Sequence, residues 1–296
     1  LEKLTYTNPR GEKLTFGDSP FFLQTVGGLG DVSADIQTQK APYQDGSTRL
    51  DAVFEERSIP IQFLIVKESY EEVILARQLL GRVLNPKLGT GVLRYESENI
   101  IREIDVSPDS VPLFPDGQGN RTIAIQKGFI NLVAFNPYWR ASEESVEQLV
   151  TFSGGLTFPL ILPTIFGNQD STAKSRIIVN QGDSPTPIEV TFTGPATSPI
   201  RIENETTGEF IEVAQSLLDG EKLWISTQFG KKRVQKIAVD GTVINAFNYI
   251  KINPIPSLSS TFFQLQEGNN LITYSTGEEY EKAPVTIRYY NRYLAV

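Results

Sequence analysis

Turn residues interrupt this chain so often that the apolar runs between them have room for little but short strands. "NPRGE" at Asn8, "GDSP" at Gly17, "GGLGD" at Gly27 and "PYQDGS" at Pro42 follow one another closely. Glycine, proline, asparagine and aspartate in such clusters hold the backbone in turns. Short runs bounded this way read as strands joined tightly. "RSIPIQFLIV", Arg57 to Val66, alternates at Ile59, Ile61 and Phe63, the two-residue period of a half-buried strand. Pro60 has no N–H to offer a neighbour, so the beginning of that strand is expected at an edge.

One segment breaks the rhythm. "SYEEVILARQLLGRVLNP" places Ser69 as an N-cap with Glu72 three residues on, the pattern of a capping box. Val73, Ala76, Leu80 and Val83 or Leu84 recur at helical spacing, and Asn85-Pro86 stops the run. A helix is expected over about residues 69–85, laid on a sheet. "GVLRY", "NIIREIDVSP" and "RTIAIQKGFINLVAF" then supply further strands, until Asn136-Pro137 ends the pattern just before Tyr138 and Trp139.

Beyond Ser153 the pattern is almost wholly β. Ile188, Val190 and Phe192 alternate, Gly194-Pro195 interrupts, and Ile200 and Ile202 resume. "KIAVDGTVIN" holds Asp240-Gly241 between two apolar runs, the mark of a hairpin whose two central residues both take positive φ. A chain of 296 residues exceeds the size at which one core stops growing. The expected fold class is therefore mainly β: an N-terminal β-sandwich with one helix over 1–140, and a jelly-roll-like β-sandwich over 141–296.

The chain has no cysteine and no histidine, which removes disulfides, thiol nucleophiles, Ser-His pairs and Cys/His zinc sites. The remaining acid–base pairs, Glu55-Glu56, Glu143-Glu144 and Glu278-Glu279, are sequence neighbours in polar stretches and read as solvated. "GGLGDV" at Gly27 lacks the third glycine of a dinucleotide loop, and no phosphate loop or calcium loop is present. No catalytic, cofactor or metal residue is expected. The net charge of −8 argues against a nucleic-acid grip, and the cations of "KKRVQK", Lys231 to Lys236, read as a solvated face. No apolar run reaches membrane-spanning length, the longest being "FPLILP" around Leu160, and the first residues lack a signal-peptide pattern, so neither a membrane span nor Sec-type export is expected. Trp139, Trp224, Tyr289, Tyr290 and Tyr293 could stack on sugars or fill cores; the apolar neighbours in "KLWIS" favour the core for Trp224.

Several stretches, taken in order, resemble the siphovirus distal tail proteins of phages and prophages: "TNPRGE", "GLGD", "PYQDGS", "RSIPIQFLI", "LNPKLGTGVLRY" and "FNPYWRA", then "GNQDSTAKSRIIVNQGDSPTPIEVTFTGPATSPIRIENETTGEFI" and "LQEGNNLITY". Each is only a turn with a strand; their order along nearly the whole chain carries the resemblance. It implies a non-enzymatic hub of the tail tip, made in the bacterial host cytoplasm and built into the virion. It also implies a hexameric ring of N-terminal domains and a galectin-like or carbohydrate-binding-module-like second sandwich. The partners implied are the chain itself, the tail-tube protein, and a tail-associated lysin or a fibre or receptor-binding protein, with DNA only as cargo through the channel.

Two sets of residues acquire roles under that resemblance. Residues 40–57, with Pro42, Tyr43, Gln44, Asp45 and Gly46, fit an arm reaching a neighbouring protomer, a contact that closes into a ring when its rotation does. A surface loop is the alternative. Pro137, Tyr138 and Trp139 fit a junction between the domains. The alternative function is a carbohydrate-binding protein that recognises host cell-wall glycans through its second sandwich, and a carboxylate-based glycoside hydrolase is the third.

Overall fold

The computed structural model describes residues 2–149, 175–278 and 283–296. "FPLILP", Glu279 and the first residues of the "GNQDSTAKS" stretch lie outside them. The chain divides into two compact units, Leu1–Ser142 with Tyr293–Val296, and Glu143–Arg292. The last four residues thus return to the first unit, a connection that a linear division at 140/141 does not contain.

In the first unit the strands β1 (Lys3–Thr7), β2 (Lys13–Phe16), β3 (Phe21–Val26), β6 (Arg57–Val66), β7 (Gly91–Ser97), β8 (Ile100–Pro108) and β9 (Ile125–Ala134) lie in the order β2-β1-β7-β8-β9-β6-β3. Its two end strands are consecutive in the chain. Seven strands laid flat would set them about 29 Å apart, whereas the link from Phe16 to Phe21 reaches at most about 18 Å. The sheet must therefore curl, and the Asp18–Phe21 bridge and the Phe16–Phe21 ring pair at 6.3 Å join its ends. One strand path, bent over on itself, makes the sandwich.

The interior follows from alternation. In β6 every second residue from Arg57 to Ile65 is buried, and Ile59, Ile61, Phe63 and Ile65 meet Leu4, Tyr6, Phe16, Leu93, Ile104 and Leu132 in one core. β6 pairs with β9 along its whole length, but β3 accompanies it only from Ile61 to Ile65. Pro60 sits where β3 ends, its carbonyl accepting from Gly27 N–H at 3.0 Å. In an antiparallel ladder the N–H and C=O of one residue face the same neighbour, so the donor that proline lacks would have faced the side with no strand.

The helix α1 (Tyr70–Val83) buries Val73, Ala76, Leu80 and Val83. Ser69 Oγ accepts from Glu72 N–H at 3.3 Å, while the Glu72 carboxylate accepts from Glu68 N–H at 3.3 Å, one residue before the partner a reciprocal capping box uses. Asn8, buried in the "NPRGE" turn, donates to the Val83 carbonyl at 3.3 Å and so satisfies part of the helix C-terminus. Trp139 opens β10 (Trp139–Ala141), which pairs with β8. Its ring is fully buried in this core, tilted against Tyr95 at 6.4 Å.

The second unit is a sandwich of two antiparallel sheets. One runs β11 (Ser145–Gln148), β21 (Val285–Tyr289), β13 (Thr186–Thr193), β16 (Lys222–Ser226), β17 (Arg233–Ile237), β18 (Val243–Asn245), and the other β12 (Ser175–Asn180), β20 (Gly268–Ser275), β14 (Ile200–Asn204), β15 (Glu209–Val213). Ile188, Val190, Phe192, Leu223 and Ile287 from the first sheet close on Ile202, Ile211 and Ile272 from the second. The Phe192 and Tyr274 rings meet across the gap at 6.1 Å. Burial pushes the Tyr274 hydroxyl up to about 12.

Two sequence expectations are corrected here. Trp224 is only half-buried, because the alternation that buries Leu223 and Ile225 turns the residue between them to the opposite face. The Asp240-Gly241 turn has positive φ at Gly241 alone. Gly241 N–H donates to the Ala238 carbonyl at 3.0 Å and Ala238 N–H to the Thr242 carbonyl at 2.9 Å, a longer loop ending in a glycine bulge rather than a two-residue turn.

Trp139→Ala removes the largest fully buried side chain of the first unit and should lower that unit's stability by about 3–5 kcal/mol. Urea unfolding followed by Tyr and Trp fluorescence checks this; an unchanged midpoint would contradict the packing described.

Candidate assembly interface

Between β3 and β6 the chain leaves the curled sheet and returns to it. β4 (Ala34–Gln39) and β5 (Thr48–Phe54) pair only with each other among the described residues. Every residue of β4 is exposed, and β5 is exposed except at half-buried Ala52. Two-stranded ribbons are at best marginally stable alone in water, so this one needs either a firm root or a partner.

The register gives the hairpin two unlike faces. Ala34 pairs with Phe54 and Ile36 with Ala52, while Asp35, Gln37 and Asp51, with Val53 opposite Asp35, occupy the alternate, mostly polar positions. Leu50 is the extra residue of a bulge between Gln37 and Thr38, and bulges bend and twist a strand. Ile36 is 57% exposed and Leu50 61%. Pro42, Tyr43, Gln44, Asp45 and Gly46 form the tip. Tyr43 is fully exposed with φ 64°, a strained region for a tyrosine, and Gln44 holds the turn through Ala41 N–H at 2.9 Å and Thr48 Oγ1 at 3.2 Å. The arm expected at 40–57 is thus the tip and second strand of a hairpin that starts at Ala34. "ADIQTQ" carries a single large apolar residue, too weak an alternation to signal a strand.

The root is organised by a residue that sequence reading treats only as the start of a strand. Arg57 is fully buried. Its Nε donates to the Pro137 carbonyl at 2.7 Å, one terminal nitrogen to Gly28 and Asp31 carbonyls at 2.9 and 3.2 Å, and the other to the Leu294 carbonyl at 2.7 Å. Burial pushes the guanidinium's pKa down, opposed by nearby Asp31. A planar fork with five donors can satisfy four carbonyls at once, which a lysine cannot. Gly28, with φ 75°, fits here because a Cβ would collide with the Ser58 carbonyl.

The three residues expected at a domain junction gather at this same root. Pro137 supplies its carbonyl to Arg57, Tyr138 meets Phe54 at the foot of β5 edge-on at 6.1 Å, and Trp139 lies in the core of the first unit. The C-terminal return is fixed here too: Tyr293 lies under the Arg102 guanidinium at 3.7 Å, and Val296 N–H donates to the Leu29 carbonyl at 3.2 Å.

Chemical centres are sparse by comparison. Among the described residues no cluster of three acidic, His or Cys side chains could hold a metal, and no helix is long and apolar enough to cross a membrane. Glu55 and Glu56 are exposed, and Glu144 pairs with Arg288 at 3.1 Å. A groove of about 480 Å³ beside Gly27, Pro60, Leu113 and Phe129 has Asn131 and Asp109 on its wall, already joined to each other at 2.7 Å.

The family model described as "Phage tail protein RIFT-related domain" matches residues 10–134, and that described as "Siphovirus-type tail component, C-terminal domain" matches 181–293. The chain belongs to the siphovirus distal tail protein family. Distal tail proteins are structural, non-enzymatic components of the virion at the tail tip, and this chain is one of them. The fold is similar over 99% of both chains to the Dit protein of phage SPP1, described as a paradigm of the hub adsorption apparatus in phages infecting Gram-positive bacteria, with TM-score 0.68 at 13% identity. Chains of the phage p2 baseplate in its activated conformation are also similar, with strontium (TM-score 0.53, 12% identity, 97% and 98% covered) and with calcium (0.52, 13%, 97% of each). No curated protein sequence matches the chain.

Within this distal tail protein, Arg57→Leu leaves four carbonyls without their donor and should cost about 3–5 kcal/mol, since each buried acceptor left unsatisfied costs about 1–3 kcal/mol before the segments relax toward water. Hydrogen exchange should accelerate at residues 28–31 and 293–296 before the rest of the first unit opens. Unchanged protection at both segments would refute the clamp.

Proposed function

We propose that this protein is the hub of a phage tail tip, with six copies closing into a ring by laying each projecting hairpin on the next protomer. The observation that carries the reading is an exposed β4–β5 ribbon with an apolar face and a rigidly held root. A head-to-tail contact of this kind joins unlike surfaces and closes when its rotation is a simple fraction of a turn. The number six comes from the family resemblance, and Pro42, Tyr43, Gln44, Asp45 and Gly46 are the part of the arm that reaches farthest from its root.

In the assembled tail tip the ring stacks on the tail-tube protein on one side. It carries a tail-associated lysin or a fibre or receptor-binding protein on the other. DNA passes as cargo, and the net charge of −8 favours passage over retention. Pro137, Tyr138 and Trp139 come shortly before Ser142, where the longer segment of the first unit ends, which supports reading them as the approach to the outer domain, with Trp139 anchored in the first unit's core. The galectin-like character of the second unit is consistent with its two-sheet sandwich. Of the aromatics considered for sugar stacking, Trp139 and Tyr289 are buried and drop out of that alternative, while Tyr290 is exposed and Trp224 half-buried.

Ile36→Lys with Leu50→Lys places two charges on the apolar side of the hairpin without touching a core. Light scattering of the purified variant should report the monomer mass under conditions where the parent protein forms a ring, with thermal unfolding unchanged. A variant that assembles like the parent would sink the arm hypothesis.

A further inference from the structure

One end of the second unit's larger sheet carries a cluster that neither the ring nor the hairpin uses. Lys232 Nζ lies 4.4 Å from the Phe229 ring centroid and 5.5 Å from that of Phe262. Phe262 in turn stacks on Phe247, centroids 5.8 Å apart and planes within 12°. Phe229 is 76% exposed and Phe247 41%. Adjoining aromatic rings left in water beside a cation mark a surface used for contact more than scattered apolar residues do.

Charge singles out the same place. Lys231, Lys232 and Arg233 are consecutive and exposed, and none has an ion-pair partner among the described residues. Several other cations of this unit are matched, Lys236 with Glu221 at 2.6 Å, Lys251 with Glu212 at 3.1 Å and Arg201 with Glu203 at 2.8 Å, and Lys222 stands alone rather than in a cluster. In a chain with net charge −8, three adjacent unmatched cations define a partner of opposite sign.

The backbone beside the cluster is also open. Among the described residues β18 is the last strand of its sheet and pairs only with β17. Ala246 N–H donates to the Val234 carbonyl at 2.9 Å, so by antiparallel alternation Ile244 faces β17 while Val243 and Asn245 turn their N–H and C=O outward. β18 ends where β17 begins, which brings Asn245 next to Phe247 and the basic residues. An open strand edge is a template for another strand.

We propose that this edge receives an extended acidic segment of a partner protein, added as a strand along β18. Its Asp or Glu side chains lie on Lys231, Lys232 and Arg233, and an apolar side chain lies on the Phe229–Phe262–Phe247 surface. A peptide fits better than a glycan because the outward backbone pairs of Val243 and Asn245 recognise another backbone. The inference concerns the second unit alone and holds whether or not the chain forms a ring.

The test is a selection of random displayed peptides against the full-length protein, followed by binding measurements on the enriched sequences. Acidic peptides rich in β-branched or aromatic residues should emerge. Their affinity should fall about tenfold or more with Phe229→Ala, with Lys232→Glu and with Val243→Pro, which removes an outward N–H and leaves the ladder to β17 intact. The three positions are exposed, and circular dichroism confirms that the variants fold. Failure to enrich acidic peptides, or enriched peptides that bind all three variants as tightly as the parent, overturns the proposal. Equal binding of polyglutamate, lost with Lys232→Glu but kept with Val243→Pro, overturns strand addition in favour of a simple polyanion contact.

Discussion

The first unit depends on one buried cation. Arg57 stands at the first residue of β6 and holds, through a single guanidinium, the segment that leads into the hairpin, Pro137 between β9 and β10, and the C-terminal tail. No carboxylate touches it; four carbonyl dipoles do the work of a counter-ion, with Asp31 contributing from a distance. Burying a charge is expensive unless every donor is met. The same cost makes the arrangement all-or-none: the three chain segments are either all in place or the charge is exposed. A hairpin exposed along nearly its whole length thereby gains a defined root.

Around that clamp the architecture follows from chain connectivity. Because β2 and β3 are joined by a short turn but lie at opposite ends of the strand order, the sheet has to curl until its ends meet. The helix then covers the surface near β2 and β6, with Asn8 tying the first turn to the helix end. The second unit needs no such device. Its two sheets face one another across an apolar gap, and the long chain between Ser142 and Arg292 supplies enough strands to close the core.

Much of this was legible where burial imposes a period. Arg57 to Val66 and the helix over Val73, Ala76, Leu80 and Val83 could be read from spacing because one face of each is fully buried. Spacing also hid the rest. "ADIQTQ" is a strand with water on both sides, so it has no alternation to read. Trp224 falls on the outward position of a strand whose inward residues are apolar, and composition alone cannot tell the two faces apart. Asp240-Gly241 signals a turn, but the loop length is set by the bulge at Gly241. Arg57 gives no local sign at all, because its four partners come from segments as distant in sequence as Gly28 and Leu294. The return of Tyr293 to the first unit is invisible for the same reason. The tip of the proposed assembly hairpin is legible through proline and glycine, and its root is not.

In the proposed assembly, exposed hairpins, each fixed at its root, link copies of this distal tail protein into a closed ring. Negative-stain electron microscopy of the purified full-length protein, sorted into classes without imposed symmetry, tests it most directly. Closed rings of six with a central channel are expected. Particles that remain single at every concentration, or that join into open chains, would contradict it.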